Sequence, residues 1–79
     1  MSQTATLAQA VAAEIRAEMG RQQKSGRAVA EAMGVTHIYL SRRLTGKVPL
    51  TLADLDRIAA ALSVPATSFL PAPGQAPAA

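Results

Sequence analysis

Two short helical patterns meet at a glycine near the middle of the chain, and this unit restricts the possible fold most. The first pattern follows Ser25, a residue type that caps helix N-termini well, and ends at Gly34. Gly34 is expected to adopt a left-handed backbone conformation that a side chain would penalise. The second pattern follows Thr36 and runs to about Leu44. Ala30 is small enough for close crossing, so two short helices are predicted to pack across a tight turn.

Apolar residues at helical spacing predict further helices on both sides of this unit. A first helix is expected over residues 6–19, with Gly20 as its C-terminal stop. A capping box at residues 51–54 begins a fourth helix that ends near Ser63. A short fifth helix over residues 64–70 follows, in which Phe69 and Leu70 can close the core. No alternating strand pattern occurs in the sequence. The prediction is therefore an all-α, five-helix domain over residues 1–70, followed by a disordered Pro/Ala-rich tail over residues 71–79.

The composition excludes several classes of protein. The chain has 79 residues, no cysteine and only 3% aromatic residues, which predicts one small domain with a thin aliphatic core. Without cysteine there is no disulfide scaffold, no Cys-ligated zinc and no thiol nucleophile. No apolar stretch approaches the ~20 residues that span a bilayer, and the N-terminus lacks a signal-peptide pattern. We therefore expect a protein that is neither secreted nor inserted in a membrane, and the absence of cysteine is compatible with a reducing cytoplasm.

Positive charge is concentrated in one third of the chain. Residues 21–47 contain six basic side chains and one acidic side chain, for a net charge of +5, whereas the remainder carries −2. Such a segment favours a polyanionic partner, and a solvated basic face is the alternative. No metal-spaced cluster, Gly-rich phosphate loop or nucleophile–base pair occurs in the sequence, so no enzyme activity, cofactor or small-molecule ligand is predicted.

The central segment has the geometry of a helix-turn-helix, and the sequence resembles the phage-repressor and Cro-like (XRE) family over about residues 7–70. The segments that carry the resemblance are Val29-Ala30, Gly34-Val35-Thr36, Leu40-Ser41-Arg42, Leu44-Thr45-Gly46-Lys47-Val48-Pro49, Leu55, Arg57-Ile58-Ala59, Ala61-Leu62 and Val64-Pro65. The resemblance implies a five-helix, lambda-repressor-like domain that binds DNA sequence-specifically. It also implies a transcriptional regulator, frequently a dimer, that is associated with the nucleoid in the cytoplasm of a bacterial cell or a phage-infected host. Two positions depart from the family pattern, because Gly26 replaces a common phosphate-clamping Gln and Leu44 replaces a common Glu.

Within this frame, the third helix is predicted to enter the major groove of double-stranded DNA. The residues predicted to contact bases are His37, Ile38, Ser41 and Arg42. The residues predicted to contact phosphates are Lys24, Ser25, Gly26, Arg27, Thr36, Tyr39, Arg43, Thr45 and Lys47. Two of these residues have structural alternatives, which are a salt bridge from Arg43 to Glu31 or another acid and a partly buried position for Tyr39. About five phosphate contacts per protomer predict a log–log salt slope near −4 to −5.

The predicted function is a repressor that acts by occupying an operator. If a homodimer forms, the C-terminal helices are the expected surface, with Phe69 and Leu70 as the obvious residues; a monomer that dimerises only on DNA is the alternative. Two alternatives use the same fold. An antitoxin-like protein would bind a protein partner through its first helix or its tail, and a phage accessory protein would bend DNA.

Overall fold

The computed structural model describes residues 6–71, which form four α-helices and one 3-10 turn. The α-helices are α1 (Leu7–Arg21), α2 (Gly26–Met33), α3 (His37–Leu44) and α4 (Leu52–Leu62), and the 3-10 turn is Ala66–Phe69. No strand occurs within residues 6–71, so the all-α prediction is confirmed there. The disordered tail predicted for residues 71–79 lies, apart from Pro71, outside the described residues. None of the described helices has the length and apolarity needed to cross a lipid bilayer.

The predicted fifth helix is instead a single 3-10 turn. Its hydrogen bonds join residues three apart, from the Ser68 N–H to the Pro65 carbonyl and from the Leu70 N–H to the Thr67 carbonyl. Leu70 then adopts an extended conformation with ψ of 143°. Because Pro71 follows, the α conformation is disfavoured at Leu70, and the turn ends before an α-helix can form.

A hydroxyl side chain caps the N-terminus of every described α-helix. Each cap accepts a hydrogen bond from the backbone N–H three residues later, at 3.0–3.1 Å. The four caps are Thr6, Ser25, Thr36 and Thr51. Caps of this kind each contribute about 1 kcal/mol. The helix starts predicted at Ser25, Thr36 and Thr51 are therefore confirmed.

The stop predicted at Gly20 is wrong, because α1 continues through this residue to Arg21. The left-handed residue is Gln23, with φ of 55°. The Lys24 N–H then donates to the Met19 carbonyl at 2.9 Å, which closes the helix end in the manner of a Schellman motif. A glycine inside a helix costs only about 1 kcal/mol relative to alanine, so Gly20 alone does not end the helix.

The core is small and aliphatic, with a single aromatic side chain. It joins all four α-helices and the 3-10 turn, and its largest fully buried side chains are Phe69, Ile15, Leu40, Ile58, Leu62 and Val29. Phe69 is only 1% exposed. The prediction that Phe69 offers a dimer surface is therefore wrong, because this ring already closes the core of its own chain. Leu70 remains 42% exposed.

Candidate nucleic-acid interface

The turn between α2 and α3 is built as the sequence predicts. Gly34 has φ of 76° and ψ of 26°, in the left-handed region. Its N–H donates to the Glu31 carbonyl, and the Val35 N–H donates to the Ala30 carbonyl at 3.0 Å. Ala30 is 1% exposed, which is consistent with close packing at this point. The two helices thus form a helix-turn-helix unit that packs on α1 and α4.

Helix α3 presents an outward face that carries the four residues predicted to contact bases. Its inward face is fixed by Leu40 and Leu44, which are buried one turn apart. At about 100° per residue, the four candidates fall on an arc of about 140° that begins with His37 beside Leu44 and extends away from the two leucines to Arg42. His37, Ile38 and Arg42 are exposed, and Ser41 is half-buried. Ile38 is 63% exposed, so this face of the helix offers an apolar side chain to solvent.

The opposite flank of α3 is tied to α4 by the buried carboxylate of Asp54. The Tyr39 hydroxyl donates to Asp54 Oδ1 at 2.6 Å, and Arg43 Nε donates to Oδ2 at 3.1 Å. The backbone N–H of Thr51 also donates to Oδ2, which completes the capping box of α4. The Arg43 guanidinium lies 3.8 Å from the centroid of the Tyr39 ring, where a cation–π interaction adds to the ion pair.

These contacts shift the ionisation of Asp54. Burial by itself would raise the pKa of this carboxyl, because it disfavours the charged form. The hydrogen bonds donated by Tyr39, Thr51 and Arg43 outweigh that effect and lower the pKa from 3.8 to about 2. Asp54 therefore remains ionised at neutral pH and holds Tyr39 and Arg43 as a charged acceptor.

Several residues predicted to contact phosphate already have partners within the protein. Tyr39 and Arg43 bind Asp54, and the Lys24 ammonium lies 3.3 Å from the Ala61 carbonyl. The hydroxyls of Ser25 and Thr36 cap helices, and the Thr45 hydroxyl donates to the Ser41 carbonyl. In the described part of the chain, Arg27, Arg42 and Lys47 are exposed cations whose side chains make no hydrogen bond or ion pair.

The structure also reveals a contact that the sequence analysis missed. Arg16 on α1 donates from Nη1 to the Leu44 carbonyl at 2.7 Å, which satisfies the C-terminal end of α3. The two residues are 28 positions apart, so no local pattern indicated the contact. The Tyr39–Arg43 pair did carry a signal, since residues four apart on one helix face can share a partner. No group of three metal-ligating side chains occurs within residues 6–71.

Comparisons with known proteins agree with this architecture. The structure is similar to that of the clp gene regulator ClgR from C. glutamicum, with a TM-score of 0.76 and 25% identity over 82% of this chain and 84% of that one. It is also similar to the hypothetical transcription factor NHTF from Neisseria, with a TM-score of 0.78 and 22% identity over 94% and 88% of the two chains. A comparison with curated proteins found no match. The helix-turn-helix domain family matches residues 10–68. Since that match spans most of the sequence and includes the whole α2–turn–α3 unit, the chain belongs to the helix-turn-helix domain family.

Proposed function

We propose that the protein is a transcriptional regulator, a repressor in the simplest case, that binds double-stranded DNA through α3. The observation that carries the proposal is the division of α3 into two sides. One side is fixed to the core and to Asp54, whereas the other presents Arg42 and Ile38 to solvent. Because the side chains that hold its inner side are already in place, such a helix can enter the major groove without their rearrangement.

The outward residues suit different features of base pairs. Arg42 can donate two hydrogen bonds to guanine O6 and N7, a contact that contributes about 1–3 kcal/mol of discrimination. Ile38 offers an apolar surface to the methyl group of thymine, which would account for its exposure. His37 and Ser41 offer polar groups on the neighbouring part of the arc. The operator would then be read by a short stretch of α3.

Phosphate contacts would position this helix without reading sequence. Arg27 and Lys47 are the cations best placed to serve, because both are exposed and unpaired among residues 6–71. The backbone N–H groups at the start of α2, near Ser25 and Gly26, offer further donors at the positive end of the helix dipole. Thr36, Thr45 and Lys24 would have to exchange a present hydrogen bond for one to phosphate. Tyr39 and Arg43 are the least available, because their partner is buried.

So few base contacts favour binding as a dimer on two half-sites about one helical turn apart. Leu70 follows the 3-10 turn and is 42% exposed, so it remains a candidate for such a contact. A repressor of this kind would act by excluding other proteins from its operator. It would work in the cytoplasm of a bacterial cell or of a phage-infected host.

The test is selection of random duplex DNA by the purified protein, run in parallel with Arg42→Ala. We expect a recovered motif that loses its preference at one base pair in the variant. Arg57→Ala is the matched control, because Arg57 is an exposed arginine of α4 outside the positively charged segment. Salt-sensitive binding with no motif, unchanged by Arg42→Ala, would refute the proposal and favour a DNA-bending or partner-binding role.

A further inference from the structure

Gly26 is the first residue of α2, and its backbone does not require glycine. The described glycines with positive φ are Gly34 and Gly46, and Gly26 is not among them. Glycine is a poor helix former, so another residue type would favour α2 more. The reason for glycine at this position must therefore lie outside the backbone.

The space beside Gly26 is occupied by the imidazole ring of His37. A β-carbon at position 26 would lie 3.1 Å from His37 Nε2 and 3.2 Å from His37 Cδ2. Both distances are tighter than ordinary contacts of a β-carbon. By contrast, a β-carbon at Gly20 would meet no atom within 4 Å. The ring of the first residue of α3 thus lies at a tight contact distance from the position that a β-carbon on the first residue of α2 would take.

We propose that Gly26 is a specificity-determining position, because the missing side chain allows the His37 ring to lie against the start of α2. This inference rests on the proposed DNA-binding function and adds to it. Gly26 acts as a positioning residue that sets where the His37 ring faces the DNA. A β-carbon at position 26 would require the ring to shift by a few tenths of an ångström, so the two residues are expected to be energetically coupled.

The contact matters because few other interactions fix the His37 ring. His37 is exposed, and within residues 6–71 its ring makes no side-chain hydrogen bond. It lines a shallow groove with Arg16, Met19 and Ser41, and Gly26 forms one wall of that groove. A side chain that is already oriented loses less conformational freedom on binding, which favours affinity and discrimination.

The position of the ring can be measured in the free protein. His37 is the only histidine, so its ring protons give isolated NMR signals. We expect nuclear Overhauser effects between those protons and the Gly26 α-protons. We also expect Gly26→Ala to shift the ring signals, whereas the control Gly20→Ala leaves them unchanged. Ala suits a helix better than Gly, so Gly26→Ala is expected to fold. Gly26→Gln provides a larger displacement of the ring.

The effect on recognition is measured by a double-mutant cycle on the DNA motif that the unmodified protein selects. Gly26→Ala should weaken binding by about fivefold and relax preference at one base pair, as expected if an oriented side chain is freed. In the His37→Ala background, the same substitution should have no effect. Equal effects of Gly26→Ala in both backgrounds, or none in either, would overturn the inference.

The two proposals fail in different ways. If the unmodified protein selects no motif, the proposed function is wrong, and the specificity role of Gly26 is rejected with it. If the protein selects a motif but the cycle shows no coupling, only the inference about Gly26 is wrong. Absence of the ring-to-glycine effects in the NMR spectrum would remove its structural basis without bearing on DNA binding.

Discussion

Asp54 is the residue on which the orientation of α3 most depends. It is 2% exposed, and its carboxylate accepts hydrogen bonds from Tyr39, Arg43 and the Thr51 N–H. A buried carboxylate is costly unless it is paired and hydrogen-bonded, and here both conditions are met. One side chain therefore caps α4 and fixes one flank of the helix proposed to enter DNA.

We predict that the free energy of unfolding decreases at acidic pH because Asp54 becomes protonated. Its pKa in the folded protein, about 2, lies below its ordinary value of 3.8, so the ionised form stabilises the fold. That contribution is complete above about pH 4, falls between pH 4 and pH 2, and amounts to about 2 kcal/mol. Urea unfolding followed by circular dichroism at several pH values measures it.

The variant Asp54→Asn should be less stable at neutral pH and should lose this part of the acid dependence. Asp56→Asn is the matched control, because Asp56 is exposed two positions away on the same helix. Glu18 also has a lowered pKa, because Gln22 and Arg21 donate hydrogen bonds to its carboxylate. Since Glu18 is unchanged in every variant, its contribution to the acid dependence of stability is the same in all of them. An equal loss of stability on acidification in both variants and the parent would contradict the role of Asp54.

At the scale of the element, α3 owes its stability to its surroundings. It has eight residues, and isolated helices of that length are not stable in water. Thr36 caps its start, Leu40 and Leu44 anchor its inner face, and Arg16 satisfies the Leu44 carbonyl at its end. The contacts that stabilise α3 thus come from residues outside its exposed face, which leaves the exposed residues available for recognition.

Gly34, which ends α2, and Gly20, which lies inside α1, should respond oppositely to alanine. Gly34→Ala should destabilise the protein by about 1–2 kcal/mol, because φ of 76° is unfavourable for a residue with a β-carbon. Gly20→Ala should stabilise it by about 0.5–1 kcal/mol, because Gly20 lies inside α1 with open space beside it. Thermal unfolding of both variants checks the signs, and destabilisation by Gly20→Ala would contradict the observed continuation of α1.

Local signals explain what the sequence predicted at this scale. Hydroxyl caps and Gly34 act within a few residues, so the bounds of α2 and α3 follow from the chain itself. The end of α1 was missed because Gln23, a residue with no strong left-handed preference, makes the turn. The Tyr39–Asp54 and Arg16–Leu44 contacts join distant positions and depend on packing. The sequence also predicts that Phe69 can close the core, and the structure confirms this; only its use as a dimer surface is wrong, because the ring is enclosed.

For the whole molecule, the positive charge that the sequence concentrates in residues 21–47 is not all equally available. Arg43 is ion-paired with Asp54, and Arg21 is ion-paired with Glu18 at 2.9 Å. Arg27, Arg42 and Lys47 remain as exposed cations without partners in residues 6–71. The field that a DNA duplex meets is therefore weaker than the composition of the segment suggests.

The salt dependence of DNA binding should reflect this reduced set of cations. Each phosphate neutralised contributes about −0.9 to the slope of log K against log salt concentration. With Arg42 assigned to a base, Arg27 and Lys47 are the available phosphate-contacting cations, so we expect a slope of about −2 per protomer rather than the −4 to −5 expected from the sequence. Titration of the selected duplex at several salt concentrations measures the slope.

Single variants separate available cations from those engaged within the protein. Arg27→Ala and Lys47→Ala should each reduce the magnitude of the slope by about one while leaving stability nearly unchanged. Arg43→Ala should instead lower stability by about 1–3 kcal/mol, because it leaves the buried Asp54 with one donor fewer, and should leave the slope nearly unchanged. If Arg43→Ala reduced the slope by a full unit at unchanged stability, the guanidinium would be a phosphate ligand, and its ion pair with Asp54 would have to open on DNA.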